Sequence, residues 1–143
     1  IILFNMHFFS KNFFLIMLYL LFFSYFGAIL YLLYIDDSIK KWVDIPLHFF
    51  GGFTAAFFAI VYFKKALDKL GQQRLFKFLF IVSFAVLAGV LWEFYEWTHD
   101  TFIALPRQLL ITQPSINDTM LDLAMDLSGG FFIALFYIKQ KNG

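Results

Sequence analysis

The stretch from Leu75 to Trp97, LFKFLFIVSFAVLAGVLWEFYEW, sets the architecture. Its 23 residues run almost without charge, with Lys77 near the start and Glu93 and Glu96 near the end. At about 1.5 Å per residue, a helix of this length crosses a hydrocarbon core of about 30 Å. A helix is the expected form, because each backbone polar group in lipid must find its partner inside the segment. The alternation of a barrel strand is absent from the stretch.

Three further stretches to either side read the same way, at about residues 13–35, 42–63 and 119–138. The second is apolar apart from Asp44 and His48, and the last carries Asp122 and Asp126 in its first half. Together they predict an all-α fold, a polytopic bundle of four transmembrane helices forming a single integral membrane domain over residues 1–143. The first apolar run is too long for a signal-peptide core and lacks a small-residue cleavage site after it, so it is expected to be a retained span. Composition agrees. The chain is 62% hydrophobic and 15% charged, with 23 phenylalanines, whereas soluble domains run about 45–50% and 25%.

Cysteine is absent, which excludes disulfides, thiolate metal sites and cysteine nucleophiles. The chain carries no glycine-rich phosphate loop, nucleophile elbow or basic nucleic-acid patch, so membrane lipid is an expected partner and nucleic acid is not. Short connections are expected at 36–41 and 64–74. The longest, 98–118, contains Pro106 and Pro114 and has room for a short interfacial helix around 105–111. Trp42, Trp92 and Trp97 stand near span ends and read as interfacial anchors, with Trp92 also suited to packing inside.

Charge sorts by side. Lys11, Lys64, Lys65, Lys69, Arg74, Lys77, Lys139 and Lys141 fall on one side of the expected spans, against Lys40, Lys41 and Arg107 on the other. Positive loops are retained in the cytoplasm, so both termini are expected inside and the protein in the cytoplasmic membrane. Carboxylates divide oppositely: Asp68 alone falls on the inner half, while Asp36, Asp37, Asp44, Glu93, Glu96, Asp100, Asp118, Asp122 and Asp126 fall on the outer half. Acids contribute little to topology, so the insertion rule does not account for this clustering.

The outer acids form stripes. Asp44 and His48 are four apart and share a helix face, which Gly51 and Gly52 continue inward. Glu93 and Glu96 are three apart, with Gly89 one turn deeper and His99 and Asp100 just beyond. Asp118, Asp122 and Asp126 repeat every four residues and lead to Gly129 and Gly130. Small residues let a neighbouring helix or a ligand come close. An ionised side chain at mid-membrane costs about 2.5–3.5 kcal/mol on insertion scales, so these groups are expected to face one another, water or a bound cation.

Three roles compete for them. In the first they are polar contacts that fix helix packing or dock a protein partner, although each such contact is worth only about 0.6–2 kcal/mol. The second is a metal site of Asp44, His48, Glu93, Glu96, Asp118, Asp122 and Asp126. That set is oxygen-rich and suits Mg²⁺, Mn²⁺ or Ca²⁺, or Zn²⁺ with His99 as a second nitrogen ligand. The third is a proton or cation pathway, but the inner halves of the spans carry few polar stepping-stones beyond Thr54 and Ser83. Arg107 reads equally as a headgroup contact or as the partner of a phosphate or an acid.

Three segments in this order carry a family resemblance: Asp44-Ile-Pro-Leu-His48 with Gly51-Gly52, Glu93-Phe-Tyr-Glu96-Trp97, and Asp118-Thr119-Met-Leu-Asp122 leading to Asp126-Leu-Ser-Gly129-Gly130. Over roughly residues 42 to 134 the chain resembles the YjdF-like membrane proteins, distant relatives of the VanZ-like family. VanZ-like proteins usually have glutamine where Glu96 stands and asparagine where Asp126 stands, which favours the YjdF-like branch. The resemblance implies a compact bundle in a bacterial or archaeal cytoplasmic membrane and no particular reaction.

The expected function is therefore that of a small membrane protein with an outward-facing Asp/Glu/His pocket. It is expected to bind a divalent cation, or else a cationic or phosphate-bearing headgroup; as a cation site it would act on a lipid-linked or headgroup substrate. As an enzyme it would be a metal-assisted hydrolase or transferase, with His48 or Glu93 as base. The competing class is a non-catalytic subunit or envelope protein.

Overall fold

Trp42–Tyr62, Arg74–Arg107 and Ile116–Lys139 are helices long and apolar enough to cross a membrane. The computed structural model describes residues 37–107 and 111–140, and all regular structure among them is helical. The expected span at 13–35 lies outside the described residues. Residues from Lys41 onward form one compact unit.

Helix α1 covers Asp37–Tyr62, so the backbone is already helical through most of the segment expected to be a loop before Trp42. Its single proline, Pro46, lies inside the helix. A short helix, α2, covers Lys64–Lys69 and closes with Gly71, whose φ of 51° is the left-handed conformation that glycine adopts without steric cost. Lys64 and Asp68 pair along α2 at 2.6 Å. The long helix α3, Arg74–His99, comes directly after.

Hydropathy predicts that α3 ends near Trp97. It continues instead through a π-helical turn, Asp100–Ala104, and one more α-turn, Leu105–Arg107. Hydropathy falls at Thr98-His99-Asp100, but backbone hydrogen bonding does not. The Asp100 N–H bonds the carbonyls of Glu96 and Trp97, and the Leu105 N–H reaches back to the Asp100 carbonyl. This wide turn stops one residue short of Pro106, which has no N–H to give.

Helix α4 covers Ile116–Gln140. Its start is a capping arrangement: Ser115 Oγ accepts from the Asp118 N–H at 3.2 Å, and the acid at that position suits the positive end of the helix.

The helices meet through small residues. Away from the acids, Ala56 and Ile60 of α1, Leu67 of α2, Ile81 and Ala85 of α3, and Ala134 and Tyr137 of α4 form the apolar core. At this end Lys77, only 4% exposed, donates to the Gly71 carbonyl at 2.6 Å. Nearer the acids, α1 and α4 touch backbone to backbone. A Cβ on Gly52 would strike the Asp126 main chain, and one on Gly129 would strike the Phe49 carbonyl and the Phe53 nitrogen. The outer faces carry exposed Leu87, Leu91, Phe94, Phe132 and Phe136, which acyl chains would cover.

Candidate functional site: a buried histidine among carboxylates

Helices α1 and α4 run in the same direction and α3 runs against them. The start of α1, the start of α4 and the end of α3 therefore meet at one end of the unit. His48, Glu93, Glu96, Asp100, Asp122 and Asp126 are all buried there, each less than 8% exposed.

His48 is the hub. Its Nδ1 lies 3.1 Å from Asp126 Oδ2, a hydrogen bond between α1 and α4. Its Nε2 faces Asp44 Oδ1 at 3.8 Å and Asp122 Oδ2 at 3.9 Å. Both ring nitrogens thus meet carboxylates, one in direct contact and the other across a gap. Two sets of ligand atoms, Asp44/His48/Asp122 and His48/Glu93/Glu96, each gather within 4.8 Å. The histidine belongs to both.

The glycines explain how Asp126 fits. Its Oδ1 would lie 3.4 Å from a Cβ on Gly51, and its carboxylate would collide with a Cβ on Gly89. Glycine on two neighbouring helices leaves a slot that the carboxyl group fills, directed at Nδ1. A carboxylate on the far nitrogen of a histidine fixes the tautomer and turns the near nitrogen toward a ligand.

Glu93 is held on one side only. Gln113 Nε2 donates to Glu93 Oε2 at 2.5 Å, and Thr119 lies beside the same carboxylate. The other oxygen, Oε1, is buried and makes no hydrogen bond. A buried oxygen without a partner is costly and calls for an explanation, an ion or a water among them. Trp92 is half-buried beside Glu96, so it packs inward as well as standing near a span end.

Of the residues singled out from sequence, Asp44, His48, Glu93, Glu96, Asp122 and Asp126 come together. Asp118 is half-buried in the first turn of α4, outside both ligand sets. His99 bonds Asp100 at 3.2 Å and belongs to neither set. Arg107 is exposed. Sequence reasoning missed Gln113, and it set Asp100 beside the site without a role. Asp100 accepts from the Thr112 N–H at 2.9 Å, the Thr112 hydroxyl at 3.0 Å and the Gln113 N–H at 2.7 Å. Residue spacing gives no sign of either contact, since both bridge a helix and a loop more than ten positions on.

Fold and site together define an integral membrane protein of apolar helices with a buried histidine–carboxylate cluster at one end. The chain belongs to the family described as predicted membrane protein (DUF2238), whose model matches residues 2–143. An uncharacterized protein of Thermotoga maritima is 38% identical to it over 110 residues, 75% of this chain and 53% of the relative. The chain thus spans about half the length of that curated relative. No solved structure matches it.

Proposed function

We propose that this protein holds a divalent cation in the His48 cluster, near the extracytoplasmic face, and presents it to a phosphate-bearing headgroup or lipid-linked substrate. The observation that carries the reading is the unpartnered Oε1 of Glu93 beside an imidazole whose Nε2 already faces two more carboxylates. A positive ion against His48 would meet carboxylates in either set, Asp44 with Asp122 or Glu93 with Glu96. Asp44, His48, Asp122, Glu93 and Glu96 are the ligand candidates, and Asp126 orients His48. Because His99 is turned to Asp100, the donor set keeps one nitrogen among oxygens, which favours Mg²⁺ or Mn²⁺ over Zn²⁺.

A bound cation of this kind polarises a phosphoryl oxygen and acidifies bound water. His48 and Glu93 are the two base candidates, and whichever of them takes the proton is not a cation ligand in that step. The outward orientation rests on the eight-to-three division of cations, which puts the Gly71 end inside and the acids outside, with both termini cytoplasmic and a fourth, N-terminal span. Membership in the family fits the YjdF-like resemblance, while the VanZ-like kinship rests on the resemblance alone.

The packing role has support of its own in the Asp126 slot and the direct His48–Asp126 bond, which tie α1 to α4. It leaves Glu93 Oε1 unexplained. Metal analysis of the purified protein in detergent separates the two. One cation per chain is expected in the parent protein, lost in His48→Ala and in Asp122→Ala. A metal-free parent protein, taking up no Mg²⁺ or Mn²⁺ on titration, would leave packing as the role of the cluster.

A further inference from the structure

We infer that Gln113 is a specificity-determining positioning residue: by occupying Glu93 Oε2 it confines Glu93 to one-oxygen ligation and so favours Mg²⁺ over Ca²⁺. This rests on the proposed cation centre and adds a cause of selectivity that the ligand set alone does not contain.

The device is built in two stages. Asp100, in the wide turn that continues α3, gathers the backbone N–H groups of Thr112 and Gln113 and the Thr112 hydroxyl on the carboxylate of a buried residue. Two consecutive main-chain donors on one buried acid fix the backbone at Gln113. From there the Gln113 carboxamide reaches Glu93 Oε2, twenty residues back along the chain. The glutamate therefore has one oxygen held and one, Oε1, without a hydrogen bond.

Coordination chemistry turns that asymmetry into selectivity. Mg²⁺ demands near-octahedral geometry at about 2.0–2.1 Å and takes single carboxylate oxygens. Ca²⁺ accepts about six to eight oxygens at 2.3–2.6 Å and commonly takes both oxygens of a glutamate. Releasing Oε2 would give Glu93 the two-oxygen mode that Ca²⁺ uses and deprive it of the fixed orientation that Mg²⁺ needs.

The test is the ratio of dissociation constants for Mg²⁺ and Ca²⁺, measured by titration calorimetry on the full chain in detergent. Gln113→Met keeps the length of the side chain and cannot donate. It is expected to weaken Mg²⁺ about tenfold or more, as loss of an outer partner does, and to leave Ca²⁺ equal or tighter. Asp100→Asn, which cannot accept all the loop donors, should move the ratio in the same direction by a smaller factor. Far-ultraviolet circular dichroism establishes that each variant is folded, and Gln113→Met decides alone should Asp100→Asn fail to fold. A ratio unchanged within twofold in folded Gln113→Met, with parent binding intact, overturns the inference and leaves the cation centre standing. A parent protein that binds neither of these ions overturns the inference, and one that also takes up no Mn²⁺ removes the cation centre as well.

Discussion

The two ends of the same three long helices are held together by different means. At one end Ala56, Ile81, Ala85 and Ala134 bring apolar surfaces into contact, with Lys77 satisfied by a backbone carbonyl. At the other, one histidine and five carboxylates from α1, α3 and α4 fill the space between the helices. In lipid, apolar faces gain little by meeting, so association depends on close fit and on polar contacts. Among the described residues the apolar end achieves this with one buried charge, Lys77. The acids at the opposite end are more than holding the bundle requires.

Substitutions put that contrast at risk. The largest effect is expected where the two backbones touch. Gly129→Leu would drive a side chain into Phe49 and Phe53, and a loss of about 3 kcal/mol or more should appear as a collapsed melting transition in detergent. Next comes Asp126→Asn, which keeps the shape of the slot but removes the charge behind His48. Cation affinity should fall about 10–100-fold while the melting temperature changes little. A large loss of stability without any change in cation uptake would erase the distinction between the two ends.

Lys77→Met probes the apolar end. It removes a charged donor to Gly71 and should lower stability by about 2 kcal/mol, read from thermal melting, with cation content unaffected. Smallest is Phe136→Leu, on an exposed outer face, where stability should stay within about 0.5 kcal/mol and cation content should not move.

How much of this was readable in the chain depended on the physical signal. Hydropathy and length marked the spans beginning at Trp42, Leu75 and Thr119, because lipid imposes both constraints on every residue of a crossing helix. Spacings of three and four residues put Asp44 with His48, Glu93 with Glu96, and Asp122 with Asp126, and the alternating direction of the helices brought them to one end. Asp118 belonged to the same stripe by spacing, yet its place beside Ser115 at the helix start sets it apart from the ligand sets. Hydropathy hid the continuation of α3 past Trp97, since a helix continues through polar residues wherever its carbonyls find donors. The link from Asp100 through Thr112 to Gln113 and Glu93 was out of reach, because it is made of tertiary hydrogen bonds with no periodicity.

The wide turn at Asp100–Ala104 also resets the phase of its helix. Along α3 the buried positions advance by fours, Lys77, Ile81, Ala85, Gly89 and Glu93, then Glu96, Asp100 and Ala104. An α-helix turns about 100° per residue, so each step of four carries the inward direction about 40° around the axis. A turn that spends an extra residue on the same revolution cancels that drift, and Ala104 stays aligned with Asp100. Relatives with an unbroken α-helix there should be one residue shorter between the counterparts of Trp97 and Pro106.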